Sequence, residues 1–105
     1  MMLKWNKYEV GNILICGTEI IKNENKITIV LTHSESNGED EYNGLVSMEK
    51  GSRGNELFNH RFFVHGWTDE EIFTKAENEA MKVLGVERKK YNDAINMLIE
   101  ARRFA

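Results

Sequence analysis

His65-Gly66-Trp67-Thr68-Asp69-Glu70-Glu71-Ile72-Phe73 is where the chain changes its period, and the fold is read outward from it. Before it, Leu57-Phe58-Asn59-His60-Arg61-Phe62-Phe63-Val64 is an aromatic, strand-like run that ends at Gly66-Trp67. After it, Ile72, Phe73, Ala76, Ala80, Val83 and Leu84 recur at helical spacing and mark one apolar stripe. Thr68 and Glu71 stand in the capping-box relation: the Thr hydroxyl accepts from the amide three residues on, and the Glu carboxylate reaches back. Asp69, Glu70 and Glu71 also place carboxylates against the positive end of the helix dipole, and Gly85 is positioned to end the helix as a C′ residue. A second helix follows, with Tyr91, Ala94, Ile95, Leu98 and Ile99 on one stripe opposite Lys89, Lys90, Asn92, Asp93, Asn96, Glu100 and Arg103.

Upstream of the switch the chain reads as strands. Residues 8–22 form the first, through Ile13-Leu14-Ile15-Cys16 and Ile20-Ile21, with Gly11 and Gly17 as bulge or bend positions. Lys22-Asn23-Glu24-Asn25-Lys26 makes a turn, and Ile27, Ile29 and Leu31 then alternate with Thr28, Val30 and Thr32 in the clearest strand of the chain. A polar connector from Ser34 to Glu41, a short strand from Tyr42 to Met48 and the turn Glu49 to Asn55 lead back to the aromatic strand. Short turns favour sequential antiparallel pairing. The expected fold is therefore α+β: a four-stranded antiparallel meander followed by two C-terminal amphipathic helices packed on one face, within a single domain spanning 1–105. Its expected core includes Ile29, Phe62, Ile72, Phe73, Ile95 and Leu98.

Composition bounds the function. The 105 residues are 41% apolar and 30% charged, which suits one globular domain whose folding buries roughly 60–70% of the unfolded surface. One cysteine, Cys16, cannot form an internal disulfide and suggests a reducing, cytoplasmic setting. The longest apolar run, Ile13 to Cys16, is far short of a membrane span, and the first residues lack the apolar stretch of a secretory leader. Fourteen Lys and Arg against seventeen Asp and Glu give a net charge of −3, which argues against a surface made wholly for phosphate. Eleven asparagines, nine isoleucines, nine lysines and no proline suggest AT-rich coding, as in low-GC bacteria and their phages or plasmids.

Catalytic and metal-binding constellations are sparse. His60 and His65 are five apart on one strand, which puts them on opposite faces, while His33 could approach either as a two-histidine hydrolytic pair. Glu24-Asn25-Lys26 has a Glu-x-Lys spacing used in some nucleases, with Glu9 or Glu19 as a partner acid, but it falls in a turn. Cys16 reads as a small buried hydrophobe. Gly51-Ser52-Arg53-Gly54 spells a GxxG loop, yet it joins strands rather than the helices that the phosphate-clamping version requires. No cofactor motif and no metal-ligand spacing is present.

Two charged features remain. Glu35, Glu39, Asp40, Glu41, Glu49 and Glu56 outnumber Lys50 and Arg53 between residues 35 and 56, a bias suited to a basic cleft on a protein partner. The expected function is accordingly that of a small non-enzymatic binding or inhibitor protein, of the kind phages and mobile elements use to occupy a host protein such as a nucleic-acid-handling enzyme. Its expected contacts are Glu35, Glu39, Asp40, Glu41 and Glu49. The alternative is a nucleic-acid-binding module using Lys50 and Arg53 of the turn with Arg88, Lys89, Lys90, Arg102 and Arg103 around the last helix.

Overall fold

A computed structural model describes residues 3–34, 41–51, 55–86 and 92–104. In chain order it contains β1 (Asn6–Val10), β2 (Ile13–Lys22), β3 (Asn25–Ser34), β4 (Glu41–Lys50), β5 (Asn55–His65), α1 (Asp69–Val86) and α2 (Asn92–Phe104). The strands form one antiparallel sheet in the order β1-β2-β3-β4-β5, and both helices pack on one face of it. The α+β meander is as expected, but it has five strands rather than four.

The extra strand comes from Gly11-Asn12. Tyr8 to Lys22 is not one element: Val10 pairs with Ile13, so a two-residue turn separates β1 from β2. Gly11 takes a φ of 65°, a left-handed conformation that costs glycine little, and Asn12 does not, which is the pattern of a II′ hairpin. Gly17 is not a bend either, because it pairs with Asn6 on one side and Val30 on the other. The one shift of register in the β4–β5 ladder instead falls between Met48 and Glu49, where Phe58 and Glu56 are the successive partners.

Alternation then sorts the sheet into two faces. Cys16 and Thr18 of β2, Ile27, Ile29 and Leu31 of β3, Tyr42, Val46 and Met48 of β4, and Phe62 and Val64 of β5 are buried beneath the helices. Gly44 lies in the same layer, opposite Phe62, and the ring occupies the space a side chain would need: a Cβ on Gly44 would fall 2.3 Å from the ring. Ile72, Phe73, Ala76 and Ala80 of α1 and Met97 and Leu98 of α2 close the core from the other side. Five of the six expected core residues are thus buried; the Ile95 side chain lies outside those described.

The start of α1 is held as its sequence predicts, with one difference. The Glu71 amide donates to Thr68 Oγ1 (3.1 Å), but the Glu71 carboxylate accepts from the Trp67 amide (3.3 Å), one residue beyond the N-cap. Lys75, one turn on, donates to Glu71 Oε1 at 2.9 Å, and this contact, then the Trp67 amide, holds the Glu71 carboxyl below its ordinary pKa. Gly85 does not stop the helix, which continues to Val86.

Candidate interaction surface

Residues converge at three places: beneath the helices, at the ends of the hairpins, and on the face of the sheet that no helix covers.

Beneath the helices lies a residue the sequence reading passed over. Glu77 sits on the buried stripe of α1 and is wholly inaccessible. Its Oε2 accepts from the Leu3 amide and from Trp5 Nε1, each at 2.9 Å, and Oε1 lies 3.0 Å from Arg102 Nε of α2. Two donors on Oε2 and the guanidinium charge beside Oε1 make the buried carboxylate tolerable, while Oε1 itself accepts no hydrogen bond. Trp5 also stacks on Phe73, with ring centroids 4.6 Å apart and planes 3° from parallel. One side chain thus fastens the N-terminal segment and the last helix to α1. The motif is structural, since every donor belongs to the fold.

At the hairpin ends, Lys26 lies 3.9 Å from Glu19 and 3.7 Å from Glu49, while Glu24 is exposed in the β2–β3 turn. The Gly51 amide donates to Glu24 O (2.9 Å) and ties this turn to the β4–β5 turn. Glu24 therefore sits in a solvated turn, but Lys26, expected in that turn, is a half-buried residue of β3 paired with Ile21 and Glu49, and among the described residues no group of three or more acidic, His or Cys side chains could hold a metal ion.

The histidines are separated. His60 pairs with Val46 and shares the helix-covered face, whereas His65 pairs with Glu41 on the opposite one. His33 is on the covered face too, tilted against the Tyr42 ring at 4.7 Å. From that row to the His60 row is about 14 Å along the strands and about 10 Å across them, so no two-histidine pair forms. Cys16 is buried, and burial pushes its thiol above the ordinary pKa.

The expected charged contacts divide. Glu41 and Glu49 share the helix-free face but lie at its opposite ends, eight residues and about 27 Å apart along β4. Glu35, Glu39 and Asp40 lie outside the described residues, as do Arg53, Arg88, Lys89 and Lys90. Lys50 and Arg103 are exposed, but Arg102 is turned inward to Glu77. The surface that sequence reasoning missed is the helix-free face as a whole. Its central rows run Tyr8–Ile15–Thr32–Asn43–Phe63 and Asn6–Gly17–Val30–Leu45–Arg61, with Val10 and Ile13 beside them. Tyr8, Val10 and Phe63 are 55%, 58% and 65% exposed, and Ile13, Ile15, Val30 and Leu45 are half-buried. The signal was present in β2, where Ile13 and Ile15 are apolar on the parity opposite to Leu14 and Cys16.

No helix among the described residues is long and apolar enough to cross a membrane. Compared with known protein families, with curated proteins and with solved structures, the chain matches none.

Proposed function

We propose that the protein acts by binding a protein partner with a basic surface, and that acidic groups at the margin of its helix-free face make the contact. The observation behind this reading is the charge balance of that face: Glu19, Glu41, Glu49 and Glu56 against Lys26 and Arg61, with Lys26 already lying within 4 Å of two of the carboxylates. Residues 35–40, which add three more acids, lead directly into Glu41. Such a surface steers and orients a basic partner through complementary potential, and a nucleic-acid-handling enzyme of a host cell has the basic cleft that would fit it. Occupying the cleft would inhibit that enzyme.

The test is affinity capture from host lysate, with and without nuclease, using wild type, a Glu39→Lys/Asp40→Lys/Glu41→Lys variant and a Lys50→Glu/Arg103→Glu variant. A partner that survives nuclease, is lost with the acidic reversals and is kept with the basic ones supports the reading. Loss of all capture on nuclease treatment, with the opposite ranking of variants, moves the function to nucleic-acid binding.

A further inference from the structure

We infer that the apolar centre of the helix-free face is occupied by a second copy of this chain, the two sheets stacking face to face about a two-fold axis that runs along β3. This goes beyond the proposed partner, which the acidic margin would meet.

Three observations point to a second copy. The first is relief. The central rows carry Tyr8, Ile15, Val30, Leu45 and Phe63 but also Gly17, where a Cβ would meet nothing closer than Ile29 O at 3.8 Å. A hollow of about 240 Å³ lies there, lined by Asn6, Tyr8, Gly17, Thr18, Glu19, Thr28 and Val30. The described two-fold keeps each row in register while exchanging β1 with β5. Leu45 of one copy then stands over the Gly17 hollow of the other, Tyr8 over Phe63, and Val30 and Thr32 over their own counterparts. A large side chain thus faces a glycine at Leu45 and a flat ring faces a ring at Tyr8, as interdigitating sandwich faces require, while Ile15 stands over Asn43.

The second observation is charge. Within these two rows the sole charged residue is Arg61, which the axis sets over Asn6; in the next row out it sets Glu41 over Ile13, and like charges meet only at the far end of β3, where Lys26 faces its counterpart with Glu19 and Glu49 of its own copy within 4 Å. The acids of the face lie in the outer rows. The third is size. Five strands about 4.8 Å apart and about three side-chain rows make a footprint on the order of 500 Å² per copy, or about 1,000 Å² in all, the lower limit for a specific interface. The dimer should therefore be weak and concentration-dependent, with dissociation in the micromolar range.

Val30 lies on the axis, which gives the test its specificity. Sedimentation velocity of the wild type from about 1 to 500 μM should show monomer passing to dimer. Val30→Glu sets two carboxylates against each other and should weaken the dimer at least about 100-fold; Val30→Lys should do the same, and mixing the two variants should restore association. Phe63→Ser, at an exposed position away from the axis, should weaken it without affecting the fold, as checked by circular dichroism. A wild type that stays monomeric at 500 μM overturns the inference. So does a dimer that survives Val30→Glu, or two Val30 variants that fail to recover on mixing. Capture of a basic partner by the monomeric Val30→Glu variant would leave the proposed function standing while the dimer is tested separately.

Discussion

Replacing Glu77 by Ala should damage the fold about as much as truncating a large core side chain of α1. The substitution leaves the Leu3 amide and the Trp5 indole N–H, both now bonded at 2.9 Å, facing a vacated space in a buried layer. Each unpaired donor costs about 1–3 kcal/mol, giving about 2–6 kcal/mol together. Arg102 adds less, because its side chain is 27% exposed and can turn to water. The central expectation is a loss of about 4 kcal/mol. With a urea slope of about 1–1.5 kcal/mol per M for a domain this size, the midpoint should fall by about 3 M. Urea titrations followed by circular dichroism and by the fluorescence of Trp5, which is stacked on Phe73, would read it. Glu77→Gln, which keeps one acceptor and the shape, should cost about half as much and guards against a variant too unstable to titrate. A double-mutant cycle with Trp5→Phe isolates the cause, since Phe keeps the stack and removes the donor. Coupling of at least about 1 kcal/mol is expected. A loss under about 1 kcal/mol for Glu77→Ala, or strict additivity with Trp5→Phe, would refute the reasoning.

Three further outcomes follow from the geometry. Gly44→Ala should destabilise by about 1–3 kcal/mol in the same titration, because its Cβ would overlap the Phe62 ring, and Phe62→Leu should recover part of the loss; an unchanged midpoint would mean that the ring moves aside freely. The Glu71 carboxyl, held below its ordinary pKa by Lys75 and the Trp67 amide, contributes stability that is fully present above the unfolded-state value and lost as pH falls through the folded one; carboxyl ¹³C titration should show that lowered value rising in Lys75→Met, and no change would remove Lys75 as the cause. Cys16 should resist a thiol reagent at pH 8 and react fully in denaturing urea, and rapid labelling of the native protein would contradict its burial and raised pKa.

The legible part of the fold was the part whose burial leaves a period. Ile27, Ile29 and Leu31 alternate because one side of β3 is core, and Ile72, Phe73, Ala76 and Ala80 recur because one stripe of α1 is core. β1 has no such period, since all five of its residues are exposed, so Gly11-Asn12 looked like a kink within a longer strand. Glu77 was hidden for the opposite reason: it lies on the core stripe, but a pattern of apolar residues cannot count a carboxylate whose partners are 25 residues onward and more than 70 residues back. The helix-free face was only half legible. Ile13 and Ile15 announced apolar residues on both parities of β2, but the rows joining them to Val30, Leu45 and Phe63 exist only once five strands are in register. The acidic run was visible as composition, whereas the placement of Glu41 and Glu49 at opposite ends of one face depends on the length of β4.

Every strand of the sheet pairs with its neighbour in sequence, so the meander can zip through short loops, each closing at small entropic cost. Glu77 belongs to a different clock. It joins positions 3 and 5 to 77 and 102, and the loops it closes toward the N-terminal segment span more than 70 residues, so the carboxylate finds its donors after the sheet and α1 have met. Interactions made after the folding barrier act on the rate of leaving the native state rather than of reaching it. Glu77 therefore sets how long the folded molecule lasts: without it the domain would assemble at nearly its usual speed and come apart much sooner.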